Sequence, residues 1–104
     1  MAGPTQPKSA LVWIRDAVRQ GLYLPTPHFE QRCAQRRYSI FDAKKVVETA
    51  TRCEPYIDHA PQAGGTGWRI FGNDSDGEPA MLGVEAYRDN MGRRVLLITI
   101  MDGA

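Results

Sequence analysis

After Arg52 the hydrophobic pattern of this chain changes period, and that change limits the folds open to it. Before it, apolar residues recur at helical spacing: Ala10, Trp13, Ile14, Ala17 and Val18, then Ile40, Ala43, Val46, Val47 and Ala50. After it, short apolar runs alternate with turn residues. Residues 55–57 read as a short edge strand, 68–71 and 80–88 as strands, and 95–101 as the most apolar and central strand, with turns at 73–77 and 89–92. Helices first and a strand meander last predict an α+β domain. Two or three N-terminal helices should pack on a C-terminal sheet of three to four strands, antiparallel where short turns join them.

Local signals set the boundaries. Residues 1–8 hold two prolines and a glycine and are expected to be disordered, leaving one domain over 9–104. Ser9 suits an N-cap and Gly21 the position just past a helix end. Residues 22–25 read as a connector. Thr26 can cap a second helix running to Arg37, with Pro27 at its first position, where no N–H is needed. Ser39 and Asp42 have the capping-box form for a third helix.

At 104 residues the chain can bury a core without staples, and its net charge of +1 argues against indiscriminate nucleic-acid binding while allowing a local basic patch. The start lacks an apolar signal region, and no apolar run approaches about 18 residues, so a cytoplasmic protein with reduced Cys33 and Cys53 and no membrane span is expected.

His28, Arg32 and Arg36 recur at a spacing of four and form one helical stripe bordering the apolar face of Phe29 and Cys33. A histidine at a helix start above two fixed cations fits a phosphate site, and it equally fits an ordinary solvated face. Three other signals carry less. The segment 64–67 is glycine-rich but lacks the Lys-Ser/Thr of a phosphate loop and precedes a strand, so it reads as a flexible loop able to close over a site. Residues 73–78 imitate a calcium loop, but glycines fall at both end ligand positions. Cys33, Cys53, His28 and His59 lack zinc-site spacing, so no metal or cofactor is expected.

The order Thr26-Pro27-His28, Arg32, Arg36-Arg37, Ile40-Phe41-Asp42 and Val46-Val47 is followed by Trp68-Arg69-Ile70-Phe71-Gly72, Asp76-Gly77 and the apolar strand 95–101. Over residues 24–102 this resembles the small bacterial family called domain of unknown function (DUF) 4258, which is related by fold to RelE- and BrnT-like toxin ribonucleases. The resemblance implies a RelE/barnase-like fold and metal-independent RNA cleavage by attack of the 2′-hydroxyl. His28 would be base or acid, Arg32 and Arg69 would stabilise developing charge, and Thr99 would orient a phosphate oxygen. Arg36, Arg37, Lys44 and Lys45 would be auxiliary RNA contacts. RNA, free or on the ribosome, and an antitoxin protein are the implied partners. Tyr87 and Trp68 are candidates for base stacking, although Trp68, leading into Ile70, fits core packing better. The rival readings are a non-catalytic module of the same fold that uses a basic groove, and a structural homodimer joined through a sheet edge; whether the chain is an enzyme stays open.

Overall fold

The computed structural model describes residues 3–103. Met1, Ala2 and Ala104 lie outside the described residues, so the expected disorder of residues 1 and 2 does too. The order is α1 (Pro7–Arg19), β1 (Tyr23–Pro25), α2 (Pro27–Arg36), α3 (Ile40–Thr49), β2 (Arg52–Pro55), β3 (Thr66–Asn73), β4 (Pro79–Asp89) and β5 (Gly92–Asp102). The predicted α+β class is what forms, with all three helices preceding β2 to β5. Among the described residues no helix is long and apolar enough to cross a membrane.

Helix α1 begins two residues before Ser9, with Gln6 at the N-cap position and Pro7 in the first turn. A proline there forfeits no intrahelical bond, which is why the helix extends into the segment expected to be disordered. Just before it, Pro4 is buried and its carbonyl accepts from Thr66 Oγ1 at 2.7 Å. The buried stripe is Ala10, Trp13, Ile14, Ala17 and Val18, as the spacing predicts. At the other end Gly21 takes the left-handed conformation (φ 75°), and Leu22 N donates back to Ala17 O at 2.8 Å. This pairing satisfies carbonyls the helix would otherwise leave bare. Arg15, which the spacing sets off the core stripe, donates to Val47 O and Ala50 O at 3.1 and 2.6 Å and so secures the end of α3 against α1.

The sheet has five strands in the order β1-β5-β4-β3-β2, with β1 parallel to β5 and every other pair antiparallel. This corrects the expected antiparallel sheet of three to four strands. The extra strand lies in the 22–25 connector, where three residues are too few to show a period. β2 also precedes its expected position at 55–57. Thr26 fastens α2 beside β1: its amide and hydroxyl both donate to Leu97 O, at 3.0 and 2.8 Å, while its hydroxyl oxygen accepts from Phe29 N at 3.2 Å. At α3, Asp42 Oδ2 accepts from Ser39 N at 2.8 Å, and its Oδ1 accepts from Ser75 N at 3.0 Å, joining the helix start to the β3–β4 turn.

Trp68 and Ile70 on β3, Leu82 and Val84 on β4, and Leu97 and Ile100 on β5 share one core with the three helices. Trp68, a candidate for base stacking, is therefore a core residue, with its Nε1 donating to Thr66 Oγ1 at 2.9 Å. A register shift between Gly83 and Val84 pairs them with Thr99 and Leu97, so Ile98 is an extra residue and both Leu97 and Ile100 face the helices. Alternation then sets Gly67, Arg69, Gly83, Glu85 and Thr99 on the opposite face.

Candidate functional site

On α2 the stripe forms as a row on the helix, but its members have local tasks. His28 is the second helical residue and is exposed. Arg32 Nη1 donates to Gln35 Oε1 at 2.7 Å, within the same helix. Arg36 Nη1 donates to Ile100 O at 2.8 Å, tying α2 to the part of β5 that β1 does not reach. Arg37 is exposed and ends α2 in the left-handed conformation (φ 60°). Lys45 is exposed, and Lys44 holds its ammonium 5.8 Å from the centre of the Tyr23 ring.

The other two expected residues lie on the sheet face away from the helices. Arg69 on β3 pairs with Gly83 on β4, and Gly83 pairs with Thr99 on β5, so one row of the sheet carries both. Arg69 Nη2 is 2.6 Å from Glu54 Oε1 on β2, while Glu54 Oε2 is 3.3 Å from Arg52 Nε. Arg69 therefore reaches toward β2, whereas the helix bearing His28 and Arg32 packs on β5 at the other side of the sheet. Arg69 and Thr99 share a row, and the α2 pair stands apart from Arg69. The Nε of Arg69 is shielded from solvent and donates to no acceptor among the described residues. Buried donors are seldom left so.

Residues 56–65 cross this face as a strap, and two glycines make room for it. A Cβ at Gly83 would stand 2.7 Å from Tyr56 Cε2 and 2.9 Å from Thr99 Cγ2. A Cβ at Gly67 would stand 3.0 Å from His59 Cδ2. The Tyr56 and His59 rings thus rest over bare backbone, with centroids 5.6 Å apart. Between them and the next row lies Glu85, which pairs with Gly67 in the ladder and is fully buried. Its Oε1 is 2.7 Å from His59 Nε2 and accepts from Gln62 N at 2.6 Å; its Oε2 accepts from Ala63 N at 2.7 Å and Gly65 N at 3.1 Å.

Burial by itself would raise the Glu85 pKa. The donors from Gln62, His59, Ala63 and Gly65 outweigh it and hold the carboxyl below the usual range. An ionised carboxylate only accepts, so His59 Nε2 donates to Glu85, and in the neutral form of the ring Nδ1 is the nitrogen with the lone pair. The arrangement is a histidine fixed by a buried carboxylate, an aromatic ring beside it, and an arginine with an unused donor on the adjoining row. Such a set can accept a proton and stabilise an anion.

Sequence reasoning named His59 only in the discounted zinc grouping and did not select Tyr56, Glu54 or Glu85. Glu85 left a trace, as a lone carboxylate inside a run of buried strand residues from Ala80 to Ala86. His59 left none, because its partner lies 26 residues away across the sheet. The zinc grouping does not assemble: among the described residues no three His, Cys, Asp or Glu side chains converge on a metal position. No protein-family model matches the chain, and no curated protein or solved structure matches it.

Proposed function

We propose that the chain is a metal-independent RNA-cleaving domain of the toxin-like kind its resemblance implies, acting from the strap-covered sheet face. The observation that carries this reading is the His59–Glu85 pair one row of the sheet from Arg69, whose Nε has no acceptor among the described residues. His59 Nδ1 takes the proton of an RNA 2′-hydroxyl. The oxygen attacks the adjacent phosphorus, the bond to the 5′-oxygen breaks, and that oxygen leaves with a proton returned by the imidazolium. The products are a 2′,3′-cyclic phosphate and a free 5′-hydroxyl. Glu85 orients the imidazole and balances its transient charge, and Arg69 stabilises the charge growing on the phosphoryl oxygens. The His59 side chain is only 6% exposed, so RNA enters by displacing the strap residues that flank His59, while His59 itself stays on Glu85. Gly64, in the left-handed conformation (φ 70°) at the end of the strap, supplies the pivot for that movement.

His28 and Arg32 are the base and cation that the resemblance implies, and they form the competing assignment within the same activity. A second reading, the non-catalytic module, is favoured by the complete pairing of Glu85: four donors make His59–Glu85 a sufficient latch for the strap. Incubation of the protein with RNA in chelator separates the readings. Cleavage should leave cyclic-phosphate ends, fall about 100-fold or more in His59→Ala, and recover with added imidazole. No cleavage with or without ribosomes, together with no growth arrest on expression, would leave the binding module.

A further inference from the structure

Arg88 and Arg93 face each other directly across the β4–β5 ladder. Each guanidinium carbon lies 5.0 Å from the centre of the Trp13 ring. Neither makes an ion pair among the described residues; the nearby Asp89 pairs with Arg94 at 3.5 Å and accepts from Met91 N at 2.8 Å. Like charges directly opposed in a ladder repel. The indole offsets part of this through cation–π attraction and holds both guanidinium groups in place. Beside them opens a groove of about 510 Å³ whose lining includes Thr5, Lys8, Ser9, Trp13 and Arg93 and no carboxylate. The start of α1 forms its floor, and the first turn of that helix carries no acid. The positive end of the helix therefore adds to the three cations.

We propose that this groove binds the phosphodiester backbone of single-stranded RNA, one phosphate between Arg88 and Arg93 and the adjoining one at Lys8 and the α1 start. Guanidinium forks match phosphate oxygens two at a time, and a pair fixed on an indole meets the phosphate already oriented. Arg88 and Arg93 lie on the helix face of the sheet, so the groove is separate from the strap-covered face. The inference takes its ligand from the RNA reading above, and it does not depend on His59 chemistry.

The test is binding of a fluorescein-labelled 12-nucleotide 2′-fluoro RNA, which lacks the attacking hydroxyl, followed by anisotropy across a potassium chloride series. The wild type should bind with salt-dependent affinity. Arg88→Gln with Arg93→Gln should weaken binding about 100-fold, tenfold for each charge-assisted contact, and flatten the log–log salt slope by about 1.4. Thermal melts should stay close to the wild type, because the relieved repulsion offsets the lost cation–π contacts with Trp13. An unchanged affinity and slope in the folded double variant would overturn the proposal, as would stronger wild-type binding to a polyglutamate peptide than to the oligonucleotide. Binding that stands without any RNA cleavage would retire the catalytic reading and keep this one. Cleavage with an unaltered salt slope in the double variant would do the reverse.

Discussion

On α2, His28 is exposed, and Arg32 and Arg36 are occupied by a glutamine one turn away and a strand carbonyl. On the strap-covered face, the His59 side chain and Glu85 are buried and mutually bonded, and Glu85 is fixed by three backbone amides. The two regions carry similar residue types and differ in what surrounds them. A helix presents its side chains at regular spacing whether or not anything organises them, so a stripe is visible in sequence and weakly constrained in space. A strap brings residues together only when the fold closes, so its site is constrained in space and faint in sequence. An organised site is recognised by what its polar groups would lose if their partners left.

The largest expected effect follows from that loss. Glu85→Ala should destabilise the protein by about 3 kcal/mol or more, because three amides and an imidazole would be left buried without an acceptor. Denaturant unfolding measures it, and a loss below about 1 kcal/mol, the usual size for a point change, would show that the strap is loosely held. Gly83→Val comes next, at about 1–3 kcal/mol, since the new side chain meets both the Tyr56 ring and the Thr99 methyl. Its thermal midpoint should fall well below that of the wild type.

Arg36→Ala should cost about 1 kcal/mol through the lost bond to Ile100 O. At the small end, His28→Ala and Arg32→Ala should each stay within about 0.5 kcal/mol of the wild type. A large loss at His28 would break the comparison by revealing an organised α2 site.

Acid should sharpen the same contrast. Glu85 is held below the usual carboxylate range against the cost of burial, and so is Asp42, through the Ser75 hydroxyl and amide and through Ser39. A carboxyl whose pKa is lower folded than unfolded binds protons more readily in the unfolded chain. The stability from these two is therefore fully present above the unfolded carboxylate range, roughly pH 4–4.5, and is lost as pH falls through and below it. Midpoints in denaturant between pH 3 and 6 should decline toward acid, and Glu85→Gln should make that decline shallower. The half-buried thiol gives the smallest signal: burial first, and then Glu54, push Cys53 up to about 11, so it should react slowly with disulfide reagents at neutral pH.

The helices were legible because their cues are local. Pro27, Thr26, Gly21 and the Ser39–Asp42 pair each act within a turn of the residues they cap. β3, β4 and β5 were legible from alternation and turn residues. β1 was not, since Tyr23, Leu24 and Pro25 become a strand only by pairing with Val95, Leu96 and Leu97. The early start of α1 is not legible because Pro7 counts toward the proline content that marks 1–8 as disordered, whereas in the first turn it starts the helix. Of the candidate site, Arg69 and Thr99 fell on one row of the sheet. The strap residues depend on contacts across more than 20 positions, and no spacing rule encodes those.

If the chain cleaves RNA as proposed, the strap-covered site and not the α2 stripe carries the cleavage. The most direct measurement compares rates of cyclic-phosphate formation from one RNA, in chelator, for His59→Ala and His28→Ala, with folding of each variant verified by its melt. The account predicts a rate about 100-fold or more below wild type for His59→Ala, restored in part by imidazole, and a near wild-type rate for His28→Ala. A His28→Ala variant that is inactive beside a fully active His59→Ala would contradict it and return the catalytic role to α2.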